Sequence, residues 1–225
     1  MKTQNMKAIV GLIVALVVVA AVIFLSAWTL HYWQACVFLA VFFVTLLAMN
    51  IFLMKNDPRM LEKRSKIVPS DENGTGQRII NVIGQVSILF VIVLPVLDHR
   101  FGWSIVPLYL NIVGDLLIAL GIFFVILVFK ENTYAAPLIE LSKDQKVIST
   151  GPYAVVRHPM YSSALIWFLG VPLALGSAWG VLLLIPMTLV FIWRLRGEEK
   201  FLSANLPGYT EYKNKVRYRL VPLLW

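Results

Sequence analysis

Charge is scarce in this chain: only 14% of its 225 residues are Asp, Glu, Lys or Arg, against 59% hydrophobic. With a mean hydropathy of +0.78, that scarcity excludes an ordinary soluble domain and leaves an integral membrane protein. Cysteine is nearly missing. Cys36 stands alone in an apolar run, so neither a disulfide framework nor a cysteine-based zinc site can be built. The three histidines, His31, His99 and His158, lack metal-ligand spacing. No G-x-G-x-x-G, P-loop or H-E-x-x-H occurs, which removes the common nucleotide and metalloprotease signatures. Acids are outnumbered 12 to 20 by Lys and Arg, a net charge of +8. Those cations lie in short loops between hydrophobic segments, where they set topology and touch anionic lipid. Membrane lipids are therefore the expected partners, and nucleic acid is not.

The hydrophobic runs set the architecture. A bilayer core of about 30 Å needs about 20 apolar helical residues, and Ala8 to Ala27, Trp33 to Met54, Ile79 to Leu97 and Trp103 to Phe129 each meet that length. The run from Met160 to Trp193 is uncharged throughout; as one straight helix it would extend about 51 Å. Gly170, Pro172 and the Gly176-Ser177 pair near its middle are kink and turn residues, so it reads as two antiparallel helices joined close to Gly176. The expected fold is all-α and polytopic, about six transmembrane helices including a C-terminal hairpin. Lys and Arg distribution agrees. The N-terminus, the 55 to 78 loop, the 130 to 158 loop and the tail from Arg194 hold every basic residue except Arg100, which puts both termini in the cytoplasm. The first run is longer than a signal-peptide core and reads as an anchor. The polar stretch 64 to 78 is expected to be a mobile loop.

Folding the hairpin returns Arg194, Glu198 and Glu199 to the membrane face of Tyr153, Arg157, His158 and Tyr161. Taken singly these residues have plain explanations. Arg194 and Glu198, four apart on a helix, can form an ordinary salt bridge; Arg157 can anchor topology; Pro159 can start a helix; the tyrosines suit an interfacial belt. Together they ask for more, because anchoring does not explain a histidine held between arginine and proline. His31 and His99 fall in the opposite loops and read as interfacial polar groups. Asp115, the sole acid inside an expected span, lies near Asn111; a buried polar pair, a protonated acid and a catalytic role all fit it.

"VISTGPYAVVRHPMYSS" and, beyond the hairpin, "EEKFLSANLPGYTEYKNKVRYRLVP" resemble the isoprenylcysteine carboxyl methyltransferase family, especially its bacterial members. The family pattern G-x-Y-x-x-x-R-H-P-x-Y-x-G followed by E-E is met by Gly151, Tyr153, Arg157, His158, Pro159, Tyr161, Glu198 and Glu199. Its closing glycine is Ser163 here, small enough to permit close helix approach. The resemblance implies a single domain over 1–225, with four N-terminal spans in 1–129 and a cofactor-binding catalytic core in 130–225, and a bacterial inner-membrane location. It implies methyl transfer from S-adenosylmethionine, held between the membrane helices and a cytosolic cap. Gln145, Lys146, Val147, Ile148, Tyr153, Arg157, His158, Pro159, Met160, Tyr161, Glu198 and Glu199 would contact the cofactor. Arg194 would face the carboxylate of a lipophilic small molecule or prenylated substrate, with Arg194 and Glu198 as the catalytic pair. An NADPH-dependent membrane reductase, which shares the "Y-x-x-Y" and "R-Y-R-L-V-P" ending, and a non-catalytic membrane scaffold are the alternatives.

Overall fold

The computed structural model describes residues 2–58, 60, 75–134 and 145–225, and among these six long helices and a short seventh set the architecture. They are α1 (Lys2–Ala27), α2 (Trp33–Asn56), α3 (Thr75–Phe101), α4 (Leu108–Glu131), α5 (Pro159–Ala174), α6 (Leu184–Asn205) and α7 (Tyr209–Lys215). The all-α polytopic expectation holds. Among the described residues four helical stretches are long and apolar enough to cross a membrane: Asn5–Ala27, Trp33–Asn56, Leu108–Glu131 and Trp179–Asn205. The 64 to 74 part of the polar stretch lies outside the described residues, and 75 to 78, expected as loop, instead form the first turn of α3.

The start of the fourth span differs from the hydropathy reading, and backbone chemistry explains it. The fourth span starts at Leu108 rather than Trp103, because Gly102 turns at φ +63 and Pro107, in extended conformation, caps the helix. The final apolar run does break into a hairpin. Helix α5 stops at Ala174, Gly176 turns at φ +78, and a 3-10 segment, Trp179–Leu183, leads into α6. With 16 residues, α5 is only about 24 Å long, so the hairpin folds back before a full crossing.

Close approach of α4 and α5 fixes the position of that hairpin. A Cβ on Gly114 would lie 2.3 Å from Ala174 N, one on Gly170 would lie 2.6 Å from Gly114 O, and one on Gly121 would lie 3.0 Å from Ser163 O. Small residues thus let two backbones touch, the usual basis of helix association in lipid. Ser163 permits this as expected, since its hydroxyl folds back to its own helix at Pro159 O, 2.7 Å. At the hairpin tip, fully buried Asp98 accepts hydrogen bonds from Ser104 N (2.7 Å), Ser104 Oγ (2.6 Å) and Ser177 Oγ (2.5 Å). This ties the end of α3 to the turn. The opposite end carries a cap: Leu206, Tyr209, Tyr212 and Val216 pack with Val147, Tyr153 and Leu202.

Candidate functional site

Pro159 organises the turn. As the first residue of α5 it has no N–H to lose, and it keeps His158 outside the helix as the capping residue. The backbone before it is then free to pair elsewhere: Arg157 N donates to Tyr218 O (2.9 Å) and His158 N to Arg219 O (3.0 Å). Ser162 Oγ donates to Leu220 O at 2.5 Å. The cap segment 218–220 is therefore fastened along the entry to α5.

The polar residues form two groups. Glu199, buried, sits at the centre of the first: Arg157 Nε lies 3.0 Å from its Oε1, His158 Nε2 3.3 Å from the same oxygen, and Arg219 Nε 3.2 Å from Oε2. The Arg157 contact is Coulombic rather than a hydrogen bond, since its Nε has no acceptor in line. Arg157 instead reaches Lys213 O through Nη1, at 3.5 Å. Arg157 and His158 are buried at 7% and 5% exposure. The whole group joins α5, α6 and the tail.

The second group lies next to it and is less enclosed. Tyr161 donates to Glu198 Oε2 at 3.0 Å and is in electrostatic contact with Arg194. Its ring packs on Phe191 at 5.2 Å and on His158 at 5.8 Å. Tyr153, on the 3-10 turn Gly151–Ala154, is held at both ends. Its hydroxyl accepts from Asn132 Nδ2 at 2.7 Å, and its carbonyl accepts from Tyr212 Oη at 2.8 Å. Burial pushes the Tyr153 phenol up to about 12; the Asn132 bond opposes this and the Glu198 charge adds to it. The turn itself needs glycine: Gly151 has φ +55, and a Cβ there would meet Glu131 Cγ at 2.5 Å. Thr150 Oγ1 fastens the same turn to Glu131 Oε2 at 2.6 Å.

Most residues singled out in the sequence thus meet at one end of the bundle. Gln145, Val147 and Ile148 are half-buried and Lys146 is exposed, with Val147 in the cap core. Met160 turns the other way, into a cluster with Leu53, Met60 and Phe129. His99 stacks on Tyr32 at 3.7 Å far from this site, and Asp115, half-buried in α4, has no partner for Oδ1. Among the described residues no three His, Cys, Asp or Glu side chains converge as a metal set. Sequence reasoning passed over Asn132, Tyr209, Tyr212 and Arg219. The last three lie inside the "PGYTEYKNKVRYRLVP" stretch, so a signal existed for them; a lone Asn after a helix gave none. It also passed over Asp98, which falls one residue beyond the hydropathic run.

Residues 109–207 match the family model for phospholipid methyltransferase. The cobalt-zinc-cadmium resistance protein CzcN of Cupriavidus metallidurans is 30% identical over 105 residues, 46% of this chain and 49% of that protein. The protein-S-isoprenylcysteine O-methyltransferase of Schizosaccharomyces pombe is 35% identical over 77 residues, 33% of each chain. The nickel-cobalt-cadmium resistance protein NccN of Alcaligenes xylosoxydans xylosoxydans is 25% identical over 101 residues, 44% of this chain and 47% of that one. The matches span about half or less of the length of these relatives. The resemblance carried by the 151–163 and 198–199 motifs is borne out, at low identity, and it supports a membrane methyltransferase in general.

Proposed function

We propose that this chain transfers a methyl group from S-adenosylmethionine to a carboxylate or thiol of a lipophilic acceptor at the cytoplasmic face of a bacterial inner membrane. One observation carries the reading: Tyr161 stands between Glu198 and Arg194 under the cap, inside the stretch that matches phospholipid methyltransferases. The catalytic core is then 130–225, and 1–129 supplies the membrane frame.

The donor set suits the cofactor. S-adenosylmethionine brings an electrophilic methyl on a sulfonium, together with an ammonium, a carboxylate and ribose hydroxyls. Glu198 would accept hydrogen bonds from its ammonium or hydroxyl groups, with Tyr161 holding the carboxylate of Glu198 in place. The faces of Tyr153 and Tyr161 would stabilise a nearby cation by roughly 0.5–2 kcal/mol. The backbone of Gln145 to Ile148 and of the His158 to Tyr161 turn would line the remainder. Arg157, His158 and Glu199 act mainly on one another, so their part is to hold Tyr161 and the cap in register. Arg194 would grip the acceptor's carboxylate, a bidentate pairing for which guanidinium is the better cation. An anionic acceptor needs no general base; alignment under the cap and exclusion of water carry the step. The metal-resistance names of two relatives are not carried over, because no metal set among the described residues supports them.

Calorimetric titration of detergent-purified protein with S-adenosylhomocysteine, beside NADPH, tests the cofactor. Saturable S-adenosylhomocysteine binding is expected, weakened roughly ten- to a hundredfold in Glu198→Ala, the usual worth of a charged hydrogen bond. Arg194→Ala should instead lower kcat/KM about a hundredfold on a labelled-methyl assay while leaving cofactor affinity nearly unchanged. A response to NADPH alone would establish the reductase instead, and binding of neither would favour the scaffold.

A further inference from the structure

The stretch Arg219 to Trp225 closes on itself. The Trp225 carbonyl accepts from the backbone N–H of Arg219, Leu220 and Val221 at 2.9, 3.0 and 3.2 Å, and Leu224 and Trp225 N–H return to Val221 O at 3.2 and 3.1 Å. This closure holds Leu223 at φ +67, a left-handed conformation that a bulky side chain rarely adopts. The strain ends in exposure: Leu223 is 85% and Leu224 80% accessible. Water offers no return for holding two leucines outward in a strained loop, whereas hydrocarbon does.

Charge and level agree with that reading. From Tyr212 to Trp225 there is no acidic side chain, while Lys213, Lys215, Arg217 and Arg219 are all basic. Lys215 and Arg217 are exposed, and the Arg219 guanidinium lies 4.9 Å over the Trp225 ring. Ser162, in the first turn of α5, holds Leu220 O. The loop is therefore level with the end of a membrane helix, where the lipid headgroups lie.

We propose that Val221 to Trp225 is an apolar foot of the cap, inserted into an anionic lipid surface on the side of the membrane that carries the site. Residues 218–220 of the same segment hold Arg157, His158 and Ser162 by their carbonyls, and Arg219 holds Glu199. Lipid engagement of the foot thereby keeps the cap seated on the site. The membrane contact does not depend on which reaction the site performs.

The test uses the scarcity of cysteine. In a Cys36→Ser background, Leu224→Cys is labelled with an environment-sensitive fluorophore and placed in nanodiscs containing phosphatidylglycerol with brominated acyl chains. Val221→Cys, half as exposed, serves as a second position if the first does not fold, and Asn214→Cys, exposed on α7, is the aqueous control. Bromine is expected to remove about half or more of the emission at 224 and little at 214, as for a segment seated at the acyl boundary. The quenching should fall in phosphatidylcholine discs and in Arg217→Glu. Equal emission at 224 and 214 overturns the insertion, and quenching indifferent to both lipid charge and Arg217→Glu overturns the anionic preference. Wild-type failure to bind S-adenosylhomocysteine would leave these readouts unaffected.

Discussion

Glu198 and Glu199 are neighbours in sequence with opposite surroundings. Glu199 is surrounded by Arg157, His158 and Arg219, whereas Glu198 meets the Tyr161 hydroxyl. Removing one member of a buried ionic group leaves the others uncompensated, at a cost of about 3–5 kcal/mol. Glu199→Ala should therefore lower the melting temperature in detergent, while Glu198→Ala should leave it nearly unchanged and act on ligand affinity. Tyr209 and Tyr212 offer a second contrast in the cap. The Tyr209 hydroxyl is buried without a hydrogen-bond partner, and Tyr212 donates to Tyr153 O. Deleting the orphan hydroxyl in Tyr209→Phe should be neutral or stabilising. Tyr212→Phe should cost about 1–2 kcal/mol, because it strands a carbonyl. Comparative thermal melts of the two variants check this; equal losses would mean that both hydroxyls are bonded. The spacing from Arg194 set Glu198 apart in the residue string, but the burial of Glu199 and the different bonding of the two tyrosine hydroxyls could not be read there.

The α4 and α5 pair is where helix packing decides the site. Their backbones approach at Gly114, Gly121 and Gly170, and the positions of Glu131, Asn132 and Pro159 at the helix ends follow from that approach. Gly170→Ala places a methyl 2.6 Å from Gly114 O and 2.9 Å from Ile118 N. Backbone cannot yield as a flexible side chain does, so the helices must part, at roughly 1–3 kcal/mol. Gly197→Ala, on α6 with nothing within 4 Å of the new methyl, should stabilise instead, by up to about 1 kcal/mol. Melting curves in one detergent test the opposite signs. The existence of these helices was legible from hydropathy, and so was the hairpin, because Gly176 and the length of the run demanded a turn. The late start of α4 was not legible from hydropathy, since an apolar average does not register a proline cap or a glycine at positive φ.

For the whole chain, the topology expected from the basic residues puts the N-terminal end of α1 on the same side as the cap. Cysteines introduced at Lys7 and Asn214 in the Cys36→Ser background should react with an impermeant maleimide from one side of sealed vesicles. A cysteine at Leu30, 78% exposed at the opposite end, should react only from the other. Labelling of all three from one side would break the topology. The sequence by itself determined the membrane class and the all-helical frame, because the bilayer imposes a fixed span length on any chain that crosses it. It also indicated the turn at Arg157 to Tyr161 and the paired glutamates, since those residue types cluster beside apolar runs for few structural reasons. Only the tertiary structure decided that Glu199 is internal while Glu198 borders the tyrosines, and that Asn132 and Arg219 belong to the same assembly. Those outcomes depend on how closely α4 and α5 approach and on where the tail lies across the entry to α5. Such contacts join residues far apart in the chain, and no local pattern encodes them.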